Sequence, residues 1–421
     1  MTTTIALNMM VKNAATVMNR VLMPVLPYVD EVVIVDTGST DGTRELITTI
    51  IDQSPLTRPD LRFELIAVNE RSDPHLYLHD EAATFGKGLP GPFTGKPFLA
   101  RWDLTRQMAL DATRSDLMIF LDADDVWKGD QALAGPRLSS LATLMQAKNL
   151  DVLYLPYEYR HDQAGNPSYH QIRERMCRVG NARWKGHTHE VLVPIHSDRV
   201  LALDDPTVMD MHDNLDPGNQ ISHRAFKILW KEWEARTSND RDPHLLFQLG
   251  HEARNVSPDL ALDLLEAAIA AESTAAVYRA TASVERGYLY EVNRDDLDNA
   301  EAQYNQAQRF YPTLPEAALG LGRVALKRGE YLTAMDHLGR ALDLADTREA
   351  RMIHHDPRDR FGRCRAYLAL AQAHAGLHAK AQETARAAEG HLGPYELSSL
   401  FTIIARHARQ TSEQQTPDGT P

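Results

Sequence analysis

Apolar runs alternate with stretches of helical spacing along the chain as far as Leu155. The runs are short and end in polar or turn residues, which predicts strands at "IALNMMV", "VDEVVIVD", "LRFELIAV", "DLMIFLD" and "DVLYLPY". Helices are predicted between them, at residues 15–26, 43–51, 104–113 and 138–148. This alternation is typical of βαβ units in a mainly parallel sheet, whose ligands bind at the carboxyl ends of the strands.

Two later stretches depart from this alternation. Between Arg71 and Leu99, "FGKGLPGPFTGKPF" holds too many Gly and Pro residues for a helix or strand interior, so a long loop is predicted there. That loop is either a lid near the site or an inert surface insertion. From Arg175 to Met211, the segments "RERMCRVGNARWKGHTHEVLVP" and "VLALDDPTVMDMHDN" indicate further strands joined by turns.

After Asp213 the strand signals end, and the sequence predicts helical repeats of the tetratricopeptide type. The clearest unit, in "PEAALGLGRVALKRGEYLTAMDHLGRALDLA", has the expected residues Leu321, Gly322, Gly329, Tyr331, Ala334, Leu338 and Ala341. The same frame recurs at Ala300, Tyr304, Ala307 and Pro312; at Leu249, Gly250, Ala261, Leu265 and Ala268; and at Leu368, Gly376, Ala381 and Ala388. The predicted organisation is an α/β domain at 1–225, a helical connection at 226–242, helical repeats at 243–408 and a disordered tail at 409–421.

Composition narrows the function classes. A chain of 421 residues is too long for a single core, and its formal net charge of −13 argues against a nucleic-acid binder, although one local basic groove is compatible with that total. Two distant cysteines, Cys177 and Cys364, offer neither a disulfide framework nor a cysteine zinc site. No apolar run approaches the ~18 residues of a membrane span, and no signal-peptide pattern is found, so a cytoplasmic protein is expected.

Polar residues follow the second predicted strand, in "VDEVVIVDTGSTDGTREL". Asp36 at the strand end can accept hydrogen bonds from a nucleobase or ribose, and the start of the next helix offers backbone N–H groups. The plainer interpretation is a well-capped junction between strand and helix, with Ser39, Thr40 or Asp41 as the N-cap.

The segment "LDADD" places Asp122, Asp124 and Asp125 within four residues, directly after an apolar run. Carboxylates two residues apart at a strand end suit Mg²⁺ or Mn²⁺, which take few protein ligands and complete their octahedron with water and phosphate oxygens. An exposed acidic turn is the alternative. In "GHTHE", strand periodicity predicts His187 and His189 on one face and Glu190 on the other, unless a bulge intervenes.

The series "NMMVKN", "EVVIVDTGSTDGT", "TRQMALDATRSDLMIFLDADD" and "RWKGHTHE" resembles the family 2 glycosyltransferases with the GT-A fold, especially bacterial members with C-terminal tetratricopeptide repeats. The resemblance covers residues 5–212, and the repeats extend it to about residue 390. Arg106 lies sixteen residues before Asp122, the interval that such proteins show between an "ARN" and the Asp-x-Asp motif. The implied fold class is a Rossmann-like GT-A domain with a mainly parallel sheet, followed by an all-α repeat domain.

The resemblance also implies roles for particular residues. The donor-binding residues would be Asn13, Asp36, Thr37, Gly38, Asp41, Arg106, Asp122 and Ala123. The metal ligands would be Asp122, Asp124 and His212. The family's His-Glu pair falls on His189 and Glu190, which makes Glu190 the candidate general base and places His187 and His189 on the acceptor side. For these histidines, structural or solvated side chains are the alternative. Asp125 is expected to face water.

Three departures from the family pattern concern mainly the acceptor side. Gln107 replaces the usual Asn, the loop at 71–99 is longer than typical, and His212 is followed by Asp213 and Asn214 rather than by Gly-Tyr.

The implied function is metal-dependent transfer of a hexosyl or related sugar, with Mn²⁺ or Mg²⁺, from a nucleotide-sugar donor to a hydroxyl acceptor, with inversion. A protein or peptide held by the repeats is the first choice of acceptor. A hydroxymethylated DNA base and a surface glycan are alternatives. Outside this class, the alternatives are a catalytically silent repeat scaffold that binds a protein partner and a nucleotidyltransferase.

Overall fold

The computed structural model describes residues 3–85, 93–127, 131–161, 167–195, 198–203, 210–212, 221–236, 242–353 and 355–415. The chain forms two compact units, Met1–Arg160 with Gln171–Ala235, and His161–His170 with Arg236–Pro421. The first is an α/β unit with a mainly parallel sheet, and the second is built from paired helices. The predicted fold class is therefore confirmed.

The strands of the described residues are β1 Ile5–Val11, β2 Glu31–Asp36, β3 Arg62–Ala67, β4 Tyr77–His79, β5 Pro97–Leu99, β6 Leu117–Asp122, β7 Asp125–Trp127, β8 Val152–His161, β9 Pro167–Arg178, β10 Ala182–Lys185, β11 Val191–Pro194, β12 Val200–Ala202 and β13 Asp210–His212. The α-helices are α1 Met18–Leu22, α2 Thr43–Gln53, α3 Ala82–Phe85, α4 Trp102–Ala112, α5 Ala134–Ala147, α6 Ile221–Ala235, α7 Pro243–Ala253, α8 Pro258–Ala270, α9 Ala276–Asn293, α10 Leu297–Phe310, α11 Pro315–Lys327, α12 Tyr331–Ala345, α13 Arg348–Arg351, α14 Cys364–His374, α15 His378–Arg386 and α16 Pro394–Gln415. A π-helical turn, Arg358–Arg363, precedes α14.

The strand order of the main sheet brings two acidic strand ends together. That order is β3-β2-β1-β6-β9-β8-β13-β7, with β12 beside β8. Strands β3, β2, β1 and β6 run parallel, and β9 lies antiparallel to β6. In this register Val11 lies opposite Asp36, and Met10 lies opposite Asp122. The carboxyl ends of β2 and β6 therefore flank the end of β1, where a ligand of a parallel sheet is expected.

The central strands are apolar on both faces because helices cover the sheet on each side. On one face Leu7 and Ile34 share a core with Leu138 of α5. On the other, Val33 shares a core with Ala109 of α4. Helix α4 is thereby held against β1 and β2, and this packing fixes the direction of the polar side chains that it carries.

The four helices predicted between the strands are present with shifted ends. Predicted segments 43–51, 104–113 and 138–148 correspond to α2, α4 and α5, whereas segment 15–26 contains the short helix α1 and then a 3-10 turn that begins at Leu26. Residues 71–99, predicted as one loop, contain α3 and an antiparallel pairing of β4 with β5; residues 86–92 lie outside the described residues.

The second unit confirms the predicted repeat frame, because its small residues meet the large ones of neighbouring helices. A Cβ added at Gly250 would lie 2.7 Å from Leu265, and one at Gly322 would lie 2.5 Å from Leu338. The ring of Tyr304 lies against the α-carbons of two glycines, one on α9 and one on α11. Helix α16 continues to Gln415, whereas the sequence predicts a disordered tail from residue 409.

The helices of the described residues include none that combines the length and the apolar character that crossing a membrane would require.

Candidate active site

Asp36, the last residue of β2, shapes the turn that follows it. One carboxylate oxygen, Oδ1, accepts the backbone N–H groups of Gly38 and Ser39, at 3.0 Å each. The other oxygen, Oδ2, is buried and accepts no hydrogen bond from the described residues. The Nε of the Arg44 guanidinium lies 4.0 Å from Oδ1. A buried acceptor without a donor is rare, and a ligand that brings an N–H or O–H would satisfy it.

The loops that follow β1 and β2 are joined by hydrogen bonds next to this carboxylate. Asn13 has a left-handed backbone, with φ of 51°, and its Oδ1 accepts the Thr40 N–H at 2.9 Å, while its own N–H donates to Ser39 Oγ at 2.8 Å. Thr37 donates its N–H to the carbonyl of Val11 at 2.9 Å.

Gly38 and Asp41 complete the same pair of loops. Gly38 has φ of 95°, which side-chain-bearing residues rarely adopt. Asp41 accepts the Ala15 N–H at 3.1 Å and a hydrogen bond from the Thr43 hydroxyl, which is the main reason that the pKa of Asp41 is lowered. The structure therefore gathers Asn13, Asp36, Thr37, Gly38 and Asp41 at one strand end.

Arg106 of α4 joins two predicted site segments. Its Nη2 donates to Asp122 Oδ1 at 2.6 Å and its Nε donates to Glu190 Oε1 at 2.7 Å. The guanidinium is 6% exposed and lies over the rings of Phe120 and Trp184, at 4.9 and 5.1 Å from the ring centres. Burial alone would lower the pKa of Arg106, but the charges of Asp122 and Glu190 raise it. The arginine is therefore a permanent cation that binds both carboxylates.

Asp125 is the clearest correction to the sequence analysis, because it does not face water. Its side chain is buried, and the residue is 1% exposed. Strand β7 begins at Asp125 and pairs with β13, which returns the chain to the sheet and turns this carboxylate inward. It accepts hydrogen bonds from the Asp122 N–H at 2.9 Å, the Tyr157 hydroxyl at 2.8 Å and Arg175 Nη1 at 2.8 Å.

Arg175 and Tyr157 are functional candidates that were not predicted from the sequence. Both lie on strands, β9 and β8, in segments where charged or aromatic residues alternate with others, and nothing in that alternation singles them out. Arg175 is 1% exposed, and its Nη1 lies 4.0 Å from Asp122 Oδ2. An arginine that is buried on a strand needs a partner of opposite sign, but the run "IRERMCR" does not show which of its charged residues is buried.

Ala123 and Asp124 form the turn between β6 and β7, and both are partly exposed. His212 ends β13, and its backbone lies opposite Asp125, so its position is next to the acidic segment; its side chain lies outside the described residues. Over the part of the chain that the structure describes, no group of three or more His, Cys, Asp or Glu side chains is placed to hold a metal ion. Of the three predicted metal ligands, the structure describes the side chains of Asp122 and Asp124.

The segment "GHTHE" forms a turn between two strands, so strand periodicity, which the prediction required, does not decide which way its side chains face. Strand β10 ends at Lys185 and β11 begins at Val191, and His189 has φ of 50°. The turn buries Glu190 and leaves His189 exposed. A left-handed non-glycine residue beside a buried charge stores backbone strain, which tends to occur at functional sites.

His187 in this turn is tied to two helices. Its carbonyl accepts the backbone N–H of Trp102, at the start of α4, at 3.1 Å. Its own N–H lies 3.4 Å from Glu232 Oε2 of α6, and the ring Nδ1 lies 3.8 Å from the same oxygen. The predicted acceptor-side residues therefore lie in one turn that is fixed by α4 and α6.

The site as a whole is a cluster of carboxylates held by two buried guanidinium groups. Arg106 contacts both Asp122 and Glu190, and Asp36 lies at the end of β2, on the other side of β1 from Asp122. Such a cluster can bind a cation or a polar ligand, stabilise developing negative charge and move a proton.

No protein-family model matches the chain, and no curated protein matches it. Among solved structures, the chain is similar to S. aureus TarS 1–349, with 13% identity over 72% of this chain and 92% of that one, at a TM-score of 0.36. A second S. aureus TarS structure has 13% identity over 70% of this chain and 54% of that one, at a TM-score of 0.35. MamA has 16% identity over 48% of this chain and 90% of that one, at a TM-score of 0.30.

Proposed function

We propose that this chain is an inverting, metal-dependent glycosyltransferase of the family 2, GT-A type, which moves a sugar from a nucleotide-sugar donor to a hydroxyl acceptor. The bridge from Asp122 through Arg106 to Glu190 is the observation that carries the proposal. These residues are distant in sequence, and the resemblance assigns them to the diphosphate, the nucleotide pocket and proton transfer. Their direct contact supports a common task.

The nucleoside of the donor is proposed to lie at the carboxyl end of β2. The buried Oδ2 of Asp36 accepts no hydrogen bond from the described residues, and a nucleobase N–H or a ribose hydroxyl would satisfy it. Asn13, Thr37, Gly38 and Asp41 would hold the loops around that oxygen in place.

Asp122 and Asp124 would hold Mn²⁺ or Mg²⁺ at the turn that contains Ala123. The two residues fit such a cation, because both are partly exposed carboxylates at a strand end and hard cations prefer oxygen ligands. When bound, the cation would neutralise charge on the leaving diphosphate. Arg106 adds a fixed positive charge to the same cluster. His212 as a further ligand is a proposal that rests on its backbone position alone.

Glu190 would act as the general base. It takes the proton of the acceptor hydroxyl, the acceptor oxygen forms a bond to the anomeric carbon, and the bond from that carbon to the diphosphate oxygen breaks, with its electron pair leaving on the diphosphate. A single displacement of this kind inverts the anomeric centre. Arg106 holds Glu190 Oε1 at 2.7 Å and so orients the carboxylate. His187 and His189, in the same turn, would contact the acceptor.

A protein or peptide bound by the helical repeats is the proposed acceptor, because helical repeats present extended binding surfaces. The test of the whole proposal is a panel of nucleotide sugars with Mn²⁺, in which slow donor hydrolysis is scored as nucleoside diphosphate release. Release of pyrophosphate instead would indicate a nucleotidyltransferase. Failure of every nucleotide sugar to bind with Mn²⁺ in calorimetry would indicate a silent scaffold.

A further inference from the structure

The third carboxylate of "LDADD" is saturated by donors. Asp125 accepts hydrogen bonds from a backbone N–H, a hydroxyl and a guanidinium, which belong to Asp122, Tyr157 and Arg175. Burial, followed by the nearby charge of Asp125, raises the pKa of Tyr157, so this hydroxyl keeps its proton and remains a donor. An ionised carboxylate only accepts, and it suits a position surrounded by donors.

Arg175 supplies the charge that makes this burial tolerable. Its guanidinium lies over the rings of Phe120 and Tyr157, at 4.7 and 4.1 Å from the ring centres. Nη1 lies 2.8 Å from Asp125 Oδ2 and 4.0 Å from Asp122 Oδ2. The same guanidinium therefore neutralises Asp125 and faces the back of the Asp122 carboxylate, while Arg106 binds its other oxygen.

We propose that Asp125, held by Arg175 and Tyr157, is a positioning residue that anchors the backbone of Asp122 and so fixes the Asp122–Asp124 turn toward its ligand. Strand β6 ends at Asp122, and the hydrogen bond from its N–H to Asp125 closes the turn onto the start of β7. The ligand-facing part of this inference rests on the proposed function. The anchor itself is a property of the fold and is testable without any ligand.

Replacement of Asp125 by Asn is the sharpest perturbation. An amide has nearly the size of the carboxylate, but one of its two ends is a donor, and all three neighbours of Asp125 are donors. The Tyr157 hydroxyl can turn and accept from the amide NH2, but the amide oxygen left for the Asp122 N–H and for Arg175 carries no full charge, so both of these hydrogen bonds weaken and Arg175 loses its charge partner. Tyr157→Phe removes only the hydroxyl and keeps the Asp125–Arg175 pair, so it is the milder variant. Asp116→Asn is the matched control, since Asp116 accepts hydrogen bonds from Thr4 at the other end of β6.

The first experiment is amide hydrogen exchange on the full chain without ligand. In Asp125→Asn the Asp122 N–H should exchange about tenfold faster, because its acceptor changes from a charged carboxylate to a neutral amide oxygen. Tyr157→Phe should give a smaller acceleration at the same amide, and Asp116→Asn none. If Asp125→Asn does not fold, Tyr157→Phe decides by the same readout. Unchanged exchange at Asp122 in a folded variant overturns the anchor.

The second experiment follows donor hydrolysis as the Mn²⁺ concentration is varied. Asp125→Asn should raise the Mn²⁺ concentration for half-maximal rate about tenfold, in line with an outer-shell change at a metal site, while kcat at saturating Mn²⁺ changes by less than about threefold. Equal Mn²⁺ dependence in the variant and the wild type overturns the positioning role. A wild type that neither hydrolyses nor binds any donor with Mn²⁺ overturns the proposed function and the ligand-facing part of the inference, while the exchange experiment still decides the anchor.

Discussion

Asp122 lies between two guanidinium groups, with Arg106 Nη2 at 2.6 Å from one oxygen and Arg175 Nη1 at 4.0 Å from the other. A carboxylate at the end of an apolar strand would be costly without such partners. Both arginines are themselves buried, so each depends on the acidic residues in turn. The charges form an alternating network, and removal of one member leaves its neighbours uncompensated.

Arg106→Lys tests the geometry of this network. A lysine keeps the charge, but its ammonium cannot donate in the fork arrangement that reaches Asp122 and Glu190 together. We expect kcat/KM for donor hydrolysis to fall by roughly 10²–10³. Arg101→Lys, at the start of the same helix and paired with Asp103 at a partly exposed position, is the control and should stay near wild type. Equal kcat/KM in Arg106→Lys and the wild type would show that charge alone suffices.

Glu190→Gln tests proton transfer. The amide keeps an oxygen that can accept from Arg106, but it cannot take a proton from the acceptor hydroxyl. We expect sugar transfer to fall by roughly 10²–10⁴ with donor affinity nearly unchanged. Calorimetry of the donor with Mn²⁺ gives the affinity, and product formation gives the rate. Glu64→Gln on β3 is the control, and undiminished transfer by Glu190→Gln would remove Glu190 from the role of base.

How far the residues could be predicted from the sequence depends on how far their partners lie along the chain. Asp36 and Asp122 were identifiable because each ends an apolar strand, and Arg106 because of its interval to Asp122. The setting of Asp125 was not identifiable, since Arg175 lies on β9 and meets it only when β9 pairs with β6. The turn at His189 was also missed, because five residues with two histidines carry no clear turn signal beyond Gly186.

At the scale of elements, helix α6 contacts Asp80, in the described part of segment 71–99, through a buried ion pair. Lys227 Nζ lies 2.5 Å from Asp80 Oδ1, and Asp80 also accepts the N–H and the hydroxyl of Thr94 at 2.9 and 2.7 Å. The same helix carries Glu232, which contacts His187. Asp80 and Thr94, in the segment predicted as a loop, are therefore joined to the helix that also contacts the acceptor-side turn.

Lys227→Met should destabilise the chain by about 3 kcal/mol, because Asp80 is left buried without its cation. Burial alone would raise the pKa of Asp80, but the hydrogen bonds from Lys227 and Thr94 outweigh it and lower that pKa. A lowered pKa means that the contribution is complete above the usual value near 4 and is lost as pH falls through the folded-state pKa. Denaturant unfolding at pH 7 and below pH 4 measures the difference in the free energy of unfolding between wild type and variant. This difference should be smaller in acid, and an equal difference at both pH values would contradict a stabilising role of the ionised Asp80.

Two glycines of the repeat helices offer a matched pair. A Cβ at Gly320 would lie 2.4 Å from the ring of Tyr304, whereas one at Gly339 would have no atom within 4 Å. Gly320→Ala should therefore destabilise the chain by about 1–3 kcal/mol through overpacking. Gly339→Ala should stabilise it by about 0.5–1 kcal/mol, because alanine is the better helix former. Denaturant unfolding measures the change in the free energy of unfolding for each substitution. Equal changes at the two positions would contradict the tight contact between Gly320 and Tyr304.

The fold elements themselves were largely predictable, because periodicity acts over short distances. The strands β1, β2, β3 and β6 and the repeat frame follow from apolar spacing that one element carries alone. The helix ends and the β4–β5 pairing were not predictable, since they depend on contacts such as that of Asp80 with Thr94. Residues that pack within an element are visible in its sequence, and residues that close a loop are not.

At the scale of the whole molecule, the formal net charge of −13 bears on the acceptor. A protein that neutralises phosphates must present clustered Lys or Arg, and each phosphate contact makes binding weaker as salt rises. The arginines of the candidate site are occupied by its own carboxylates: Arg106 binds Asp122 and Glu190, and Arg175 binds Asp125. A basic groove that could hold a DNA acceptor is therefore not supplied by this site.

We expect the chain to bind a duplex that contains hydroxymethylated bases with a Kd above about 10 μM at 0.15 M salt. Such an affinity is no higher than that of a non-specific DNA-binding protein. The physical reason is repulsion between a polyanion and an acidic protein, and this repulsion becomes stronger as the salt concentration falls. Fluorescence anisotropy of a labelled duplex between 0.05 and 0.2 M salt measures this, with the unmodified duplex as control. Tight binding of the modified duplex that weakens steeply as salt rises would contradict a protein acceptor and make the DNA base the preferred one. Absence of binding at every salt concentration, together with sugar transfer to a polypeptide, would support the repeats as the site that binds the acceptor.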